Sequence, residues 1–282
     1  MHLLCRKEGR MSSLCKWSYY VWSLLEMGFG FRDWGGLARL FLGKPTQLPA
    51  TLRFRARDTR MLVRSRMDAW SVKETFLDRF YTRYGTAIAP GWTVVDIGAA
   101  IGEFTVFAAL QAAQGEVLAF EPNPESFALL QANLKLNAIQ NARAVCAGVW
   151  SEAGTMTLTT ANGEPLQAQT VFSGAAGDGG QGAPVITLEQ LLMDYTPQGI
   201  DLLKLDCEGA EYPILLATKP ETLKSVRRIV MEYHDLDARQ NHRVLRAYLE
   251  SAGFRVRLRG NPVHQELGYL YASQLSNLSD KL

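Results

Sequence analysis

From Trp92 onward, short β-branched apolar segments alternate with helical segments, and this alternation constrains the fold more than any other feature. Strands are predicted over residues 93–98, 116–122, 142–150, 200–209, 226–234, 254–260 and 266–273. Helical periodicity falls at about 103–113, 124–137, 188–194, 210–217 and 239–251. Such alternation implies an α/β fold, with right-handed crossovers and a mainly parallel sheet covered by helices on both faces. Because no helix fits between the last two strands, they are predicted to form an antiparallel hairpin at the sheet edge.

The charges of the 282-residue chain are unevenly distributed, although the net charge is only +2. Residues 1–90 contain 16 Lys and Arg against 7 Asp and Glu, a net of +9, whereas residues 91–282 contain 14 against 21, a net of −7. We therefore distinguish a basic, aromatic N-terminal extension, residues 1–69, from a main domain, residues 70–282. Four scattered cysteines without a CxxC pair predict neither a disulfide framework nor a zinc site, which fits a cytoplasmic protein.

Residues 14–31 are rich in aromatic residues and leucine, but Lys16 and Glu26 interrupt them. The charge-free run between these two is far shorter than the roughly 20 residues that a membrane-spanning helix needs. Two interpretations stay open. The segment packs as a helix on the main domain or on a second copy of the chain in a homodimer, or it makes a peripheral contact with an anionic membrane. Packing is the prediction, because buried aromatic helices are the commoner case.

Arginine alternates with apolar residues over 52–57, the period of a half-exposed strand, and a hairpin is predicted with its turn at Asp58 and Thr59. The arginines that continue to Arg83 form either a solvated strand face or an electropositive rim that receives an anionic substrate. Further along, the stretch 161–184 is rich in glycine, alanine and glutamine and is predicted to be a mobile surface loop.

The sequence VVDIGAAIGEFT, residues 94–105, predicts a ligand-binding turn between a strand and a helix. Small residues allow close approach of a ligand to the backbone, and the helix N-terminus offers unpaired N–H groups. The candidate cofactor-binding residues here are Asp96, Gly98, Ala99, Ala100 and Gly102. Such a turn serves NAD, FAD or S-adenosylmethionine, but it is not the GxGxxG of dinucleotide enzymes, because Asp96 stands where the first glycine would be.

Acidic residues follow two further predicted strands. Glu121 ends the strand after the glycine turn, where a carboxylate can accept both hydroxyls of a ribose. In LLKLDCEGAEY, residues 202–212, a strand delivers Asp206 and Glu208 to the sheet edge, on the same side if strand geometry persists. Glu211 falls in the first turn of the next helix, and one of these three acids is expected to cap that helix or to pair in a salt bridge.

Together, VVDIGAAIGEFT, FEPNPESF and LLKLDCEGAE resemble the FkbM-type family of S-adenosylmethionine-dependent methyltransferases over roughly residues 70–273. The resemblance implies a Rossmann-like class I methyltransferase fold, with a seven-stranded, mainly parallel sheet and an antiparallel last strand. It also implies O-methylation of a hydroxyl on a sugar, polyketide or other secondary metabolite. The expected partner is thus a small-molecule hydroxyl acceptor, anionic or glycosylated, and no nucleic acid is expected.

Methyl transfer from a sulfonium requires alignment of the acceptor oxygen and removal of its proton. The candidate bases are Glu208, Glu232 and His234, and the last two share a side of their strand by period two. Asp206 is placed at the cofactor's amino group or at the acceptor. No metal is predicted, although Asp206 and Glu232 would suit magnesium. Two alternative functions are an NAD-dependent oxidoreductase and a non-catalytic methyltransferase-like adaptor, and cofactor binding would separate them.

Overall fold

The computed structural model describes residues 6–7, 10–11, 13–43, 48–83, 87–160, 168–171, 182–261 and 263–275. The strands are β1 (Arg6–Lys7), β2 (Arg10–Met11), β3 (Ala50–Arg53), β4 (Arg60–Val63), β5 (Thr93–Ile97), β6 (Glu116–Phe120), β7 (Ala142–Val145), β8 (Gly148–Val149), β9 (Gly154–Thr160), β10 (Ala168–Val171), β11 (Gly182–Ile186), β12 (Leu202–Leu205), β13 (Arg228–His234), β14 (Phe254–Gly260) and β15 (Leu267–Gln274). The helices are α1 (Ser13–Gly30), α2 (Trp34–Phe41), α3 (Arg66–Lys73), α4 (Glu103–Gln111), α5 (Pro124–Leu136), α6 (Leu188–Asp194), α7 (Glu211–Ala217), α8 (Pro220–Leu223) and α9 (His242–Ser251). A π-helical turn, Glu74–Asp78, continues α3.

A seven-stranded sheet forms the centre of the main domain, in the order β14-β15-β13-β12-β5-β6-β7. Five strands, β13, β12, β5, β6 and β7, are mutually parallel. The last strand, β15, runs antiparallel to both of its neighbours, β13 and β14. The predicted mixed sheet and C-terminal hairpin are therefore confirmed, with β14 rather than the last strand at the edge.

Period-two alternation sends neighbouring strand residues to opposite faces of this sheet. Val94 and Leu202 are buried on one face against α4 and α5, whereas Val95 and Leu203 are buried on the other against α6, α7 and α9. The strands are apolar on both sides because both faces are covered by helices.

The N-terminal extension adds a further layer to the face that carries α4 and α5. Met27 and Phe31 of α1 and Phe54 of the β3–β4 hairpin belong to the same buried cluster as Val94 of the sheet. Asn133 of α5 joins this layer to the domain, since it bonds the backbone of Leu62 in both directions. The predicted helix and hairpin are confirmed, and α3 crosses the predicted boundary between residues 69 and 70. None of the helices in the described ranges has the length and apolarity needed to cross a membrane.

Three predicted elements differ from the structure. The single strand expected over 142–150 is two strands, because β8 leaves the main sheet and joins β9, β10 and β11 in a smaller, four-stranded sheet. The predicted strand 200–209 ends as β12 at Leu205. Of the loop predicted over 161–184, residues 168–171 and 182–184 fall in strands, while 161–167 and 172–181 lie outside the described residues.

Candidate active site

A cavity of about 680 Å³ opens where the parallel strands β5, β6, β12 and β13 end. Open α/β sheets bind ligands outside this carboxyl edge, and the volume is within the range of small-molecule sites. Side chains of α3 and of the π-helical turn, including Trp70 and Glu74, line one side of the cavity. Trp150 and Met156 of the small-sheet region line another side, so each layer of the fold contributes to the cavity wall.

The glycine turn between β5 and α4 forms the cavity wall at β5. Gly98 has a φ of +75°, and a Cβ at this position would lie 2.0 Å from the carbonyl oxygen of Asp206, so a side chain here would separate the two loops. Gly102 precedes α4 with a φ of +85°, against Leu130 of α5. Ala100, at a φ of +47°, adopts a left-handed conformation that is uncommon for a residue with a side chain. Such strain is typical of ligand-binding turns.

Glu121 faces this turn from the end of β6. Its carboxylate accepts the backbone N–H of Ala100 at 2.8 Å and that of Asn123 at 2.8 Å. Burial raises the pKa of Glu121 to about 7, although both backbone N–H groups oppose the rise. Because Glu121 lines the cavity and a carboxylate has about four acceptor positions, it retains capacity for hydroxyl donors of a ligand.

A buried lysine holds the turn from behind. Lys204 of β12 donates from Nζ to the carbonyl of Gly98 at 2.9 Å and lies 2.9 Å from Oδ1 of Asp96. Thr105 donates to the other carboxylate oxygen of Asp96 at 2.7 Å. Burial alone lowers the pKa of Lys204, but the carboxylates of Asp96 and Asp206 outweigh it and raise this pKa. The sequence-based prediction placed Asp96 against the cofactor; the structure places it beneath the turn, where it holds Lys204.

Two residues that the sequence analysis did not single out extend this network. Oε1 of Glu103 accepts the hydroxyl of Ser71 at 2.6 Å. Its Oε2 is buried and has no hydrogen-bond partner among the residues described, although Glu103 lines the cavity. Tyr81 donates its hydroxyl to Oδ2 of Asp206 at 2.7 Å, so the orientation of Asp206 is fixed from the side of the N-terminal layer.

A tight turn follows β12. Glu208 and Gly209 have φ values of +53° and +102°. Strand geometry therefore does not persist through Glu208, so the condition for a shared side by strand period is not met, although Asp206 and Glu208 both line the cavity. Glu211, fully buried at the start of α7, accepts the backbone N–H groups of Cys207 at 2.6 Å and Gly209 at 2.8 Å. Glu211 thus holds the turn before α7 and does not cap the helix, whose N-cap residue Ala210 has no side-chain cap hydrogen bond. Of the two roles predicted for one of these acids, the salt bridge fits Glu211, which lies 3.7 Å from His234.

His234 at the end of β13 is surrounded by carboxylates. Its Nε2 lies 3.4 Å from Oε2 of Glu208, and its Nδ1 lies 3.7 Å from Oε1 of Glu211. Burial alone lowers the pKa of His234, but Glu211 and Glu208 outweigh this and raise the pKa to about 10. The imidazole is consequently protonated near neutral pH, in which state it cannot accept a proton.

Glu232, two residues earlier on β13, lines the cavity on the same side as His234. In the described part of the chain, no hydrogen bond or ion pair joins the side chain of Glu232. Burial raises its pKa well above the ordinary value, and the carboxylates of Asp206 and Glu74 raise it further. Burial likewise raises the pKa of Glu74 to about 8, opposed by a hydrogen bond from Trp70. Several carboxyl groups therefore lie close together in this part of the cavity, with few cationic side chains beside them to neutralise their charge.

Three of these side chains could share a metal ion. Ligand atoms of Asp206, Glu232 and His234 all lie within 4.8 Å of one another, and a hard divalent cation accepts such oxygen and nitrogen ligands. His234, held as an imidazolium between Glu208 and Glu211, would first have to release its proton.

Most of the sequence-predicted site residues line one cavity in the structure, and three lie outside its lining. Those that line the cavity are Gly98, Ala100, Glu121, Asp206, Glu208, Glu232 and His234. Those that support the turn from outside the cavity lining are Asp96, Ala99 and Gly102.

The sequence analysis missed Glu74, Glu103 and Tyr81 as cavity residues. Glu103 had a usable signal, because it is an acid in the first turn of the helix that the glycine turn begins. Glu74 and Tyr81 had none, since their segment carries no recognisable motif and reaches the cavity only through the packing of the N-terminal layer.

Comparison with known proteins agrees with this geometry. The model of the family described as methyltransferase FkbM domain matches residues 96–256. The chain is 30% identical to the 31-O-demethyl-FK506 methyltransferase FkbM of Streptomyces tacrolimicus over 219 residues, which cover 68% of this chain and 83% of that protein. It is 31% identical to the methyltransferase sdnD of Sordaria araneosa over 211 residues, 64% of this chain and 80% of the relative.

Among solved structures, the methyltransferase FkbM of Methylobacillus flagellatus KT resembles the chain with a TM-score of 0.48 and 15% sequence identity. The likeness covers 68% of this chain and 47% of that one. The family match spans more than half of the chain and includes the glycine turn, Glu121, the LDCEGAE segment and β13. The chain therefore belongs to the FkbM methyltransferase domain family and is a methyltransferase.

Proposed function

We propose that this methyltransferase uses S-adenosylmethionine to methylate a hydroxyl of a small molecule, such as a sugar, a polyketide or another secondary metabolite. The observation that carries the proposal is the pairing of Glu121 with the glycine turn in the cavity wall. The N–H of Ala100 donates a hydrogen bond to Glu121 at 2.8 Å, and both residues line the cavity. The choice of oxygen as the acceptor is supported by a relative whose name specifies 31-O-demethyl-FK506.

The residues on the β5–β6 side suit this cofactor. Glu121 would accept the ribose hydroxyls, and the backbone of Gly98 and Ala100 would lie along the methionine portion. The buried Oε2 of Glu103, without a hydrogen-bond partner in the described residues, is suited to an ammonium donor. When bound, S-adenosylmethionine would supply an activated methyl group on a sulfonium. The chain's own task is then to align the acceptor oxygen and to take its proton.

Glu232 is the base that we propose among the three candidates. It lines the cavity on the same strand face as His234. Burial raises the pKa of Glu232, but the positive charge of His234 opposes this rise and favours the ionised form, which is then a stronger base than an ordinary carboxylate. His234 would act instead as a cation that holds Glu208 in place and attracts the acceptor oxygen. Asp206, fixed by Tyr81, would orient either the acceptor or the amino group of the cofactor.

The cavity lining favours a neutral, polyhydroxylated acceptor over an anionic one. Arg66 lines the cavity, but the arginines of the β3–β4 hairpin, such as Arg53 and Arg60, lie on its exposed face. Glu74, Glu232 and their neighbours would instead accept hydrogen bonds from hydroxyl groups of a sugar or polyol.

The proposal is tested by supplying methyl-labelled S-adenosylmethionine to the purified chain with an extract of the native cell, followed by mass identification of the labelled product. Transfer to an oxygen of a small molecule is expected. In parallel, thermal shift with S-adenosylmethionine and with NAD should show stabilisation by the former only. Label on nitrogen or carbon would overturn the choice of oxygen, and stabilisation by NAD alone would overturn the cofactor.

A further inference from the structure

The outer face of α1 is an exposed apolar surface. Six large side chains of this helix are between 49% and 78% exposed: Trp17, Val21, Trp22, Leu24, Leu25 and Phe29. At 100° per residue these positions fall within an arc of about 160°, which contains no charged residue. A helix of a folded domain normally turns a polar face to water, so this face departs from the usual amphipathic pattern.

The opposite face of α1 already has its partner within the chain. Ser23 and Met27 are fully buried, and Lys73 of α3 donates from Nζ to the hydroxyl of Ser23 at 2.9 Å. Glu26, at the margin of this inner face, lies 3.5 Å from the same Lys73 Nζ. The expectation that α1 packs on the main domain is therefore confirmed for the inner face alone, whereas the outer face is exposed among the residues that the structure describes.

Exposed aromatic and basic side chains continue this surface beyond α1. Trp34 at the start of α2 is 61% exposed. The hairpin abuts the end of α1, because Arg32 donates its N–H to the carbonyl of Arg53 at 2.8 Å and Arg55 donates to Gly30 at 2.9 Å. The side chains of Arg32, Arg53 and Arg55 are exposed. An apolar face with indole rings and flanked by arginines is the composition of helices that lie in a membrane interface.

We propose that the outer face of α1, together with the exposed arginines at its end, docks on an anionic lipid bilayer, with α1 lying along the surface. Charge complementarity selects this partner over a second copy of the chain. Residues 1–90 carry a net charge of +9, so a symmetric contact through this region would bring two segments of the same net charge together. Anionic headgroups would neutralise the arginines while the tryptophans and Phe29 enter the acyl boundary.

The test is co-sedimentation of the full chain with vesicles of phosphatidylcholine, with and without phosphatidylglycerol. We expect binding to the anionic vesicles that weakens as salt rises, because exposed charges are screened. The double variant Leu25→Ser/Phe29→Ser should lower vesicle affinity by about tenfold or more. The matched control Met193→Ser/Leu110→Ser removes two exposed apolar side chains elsewhere and should bind as the native chain does.

The contribution of the exposed arginines to vesicle binding is tested by a second pair of variants. Arg32→Gln/Arg53→Gln should weaken binding by about fivefold for each arginine, whereas Arg255→Gln/Arg257→Gln, on exposed positions of β14, should change it little. Equal binding to vesicles without phosphatidylglycerol would overturn the requirement for anionic lipid. A dimer that Leu25→Ser/Phe29→Ser dissociates, with no sedimentation of the native chain, would show that a second copy occupies the face.

Fluorescence quenching keeps the proposal testable if the apolar variant folds poorly. Bilayer-embedded quenchers should reduce the emission of Trp17, Trp22 and Trp34 in the native chain, and far-UV spectra of each variant should match the native protein. If anionic vesicles that carry the quencher reduce tryptophan emission no more than anionic vesicles without it, the proposal is overturned whatever the variants do.

Discussion

The two sides of the cavity differ in how their charges are balanced. On the β5–β6 side, Lys204 pairs with Asp96 and bonds the glycine turn, and Glu121 accepts two backbone N–H groups. On the β12–β13 side, burial raises the pKa of both Glu232 and Glu74, the charge of Glu74 adds to the rise at Glu232, and His234 is a cation beside Glu232. On the first side these hydrogen bonds hold the loops in place, although Oε2 of Glu103 has no partner among the described residues. On the second side several carboxyl groups lie close together.

This difference corresponds to two tasks. A side whose loops are held in place by hydrogen bonds before a ligand arrives is preorganised, as a constant cofactor requires. A side with crowded carboxyl groups can exchange protons and hydrogen bonds with its ligand, as proton removal from a hydroxyl requires. We therefore assign the β5–β6 side, the closed side, to the cofactor and the β12–β13 side, the crowded side, to the acceptor. Each prediction below tests one of these two assignments.

The largest effect is expected for Glu232→Gln on the crowded side. Loss of a positioned base should lower turnover of the labelled product by about 10²–10⁴-fold. Affinity for S-adenosylmethionine, measured by calorimetry, should change less than about twofold, because the residue acts on the other side of the cavity.

The control for this substitution is Glu221→Gln on the exposed surface, which should leave turnover unchanged. His234→Asn separates Glu232 from His234 as the base. If His234→Asn abolishes turnover while Glu232→Gln retains it, the imidazole takes the proton and our choice of base is wrong.

Lys204→Met tests whether the closed side is a structural unit. The substitution leaves the buried carboxylate of Asp96 without its cation and removes the hydrogen bond to the carbonyl of Gly98. Breaking a buried pair in this way should lower the free energy of unfolding by about 3–5 kcal/mol in urea denaturation. Lys219→Met, at an exposed position, serves as the control. A variant as stable as the native chain would show that Asp96 is neutral or reached by water.

The sequence predicted the closed side better than the crowded side, for a physical reason. The glycine turn and Glu121 lie close together in the chain, and their chemistry needs particular residue types at fixed spacing, so a motif records them. Tyr81 reaches Asp206 across 125 positions of sequence, and Glu74 reaches the cavity through a π-helical turn; only tertiary packing brings them there. The departure of the chain from strand geometry at Glu208 was also invisible, because Glu208 is not a glycine although its φ is positive.

Glu121→Ala tests the cofactor assignment itself. Loss of a charged acceptor for the ribose hydroxyls should weaken S-adenosylmethionine binding by about 1.5–3 kcal/mol in calorimetry. Glu125→Ala, four residues later and exposed, is the matched control. Because burial raises the pKa of Glu121 to about 7, affinity of the native chain should also decline as the pH falls below 7. Unchanged affinity in a folded Glu121→Ala variant would remove the ribose role.

The smallest effect concerns the pH dependence of stability, to which Glu74 on the crowded side should contribute. Burial raises the pKa of Glu74 to about 8, above the ordinary value of 4.5 that applies to the unfolded chain. Between these pH values the folded protein holds a proton that the unfolded chain has released, so the free energy of unfolding should fall as the pH rises through this window.

Glu74→Gln retains an acceptor for Trp70 but cannot ionise. The variant should therefore gain stability relative to the native chain as the pH rises from 5 to 8, by at most about 1.4 kcal/mol for each pH unit. His234, with a pKa of about 10, contributes a slope of the same sign above pH 6.5, so the variant's curve should flatten without becoming level. Urea denaturation of both proteins across this range measures the difference, with Glu125→Gln as the exposed control. A Glu74→Gln variant that is less stable than the native chain at pH 8 would show that this carboxylate is ionised and paired, and that the crowded side is balanced after all.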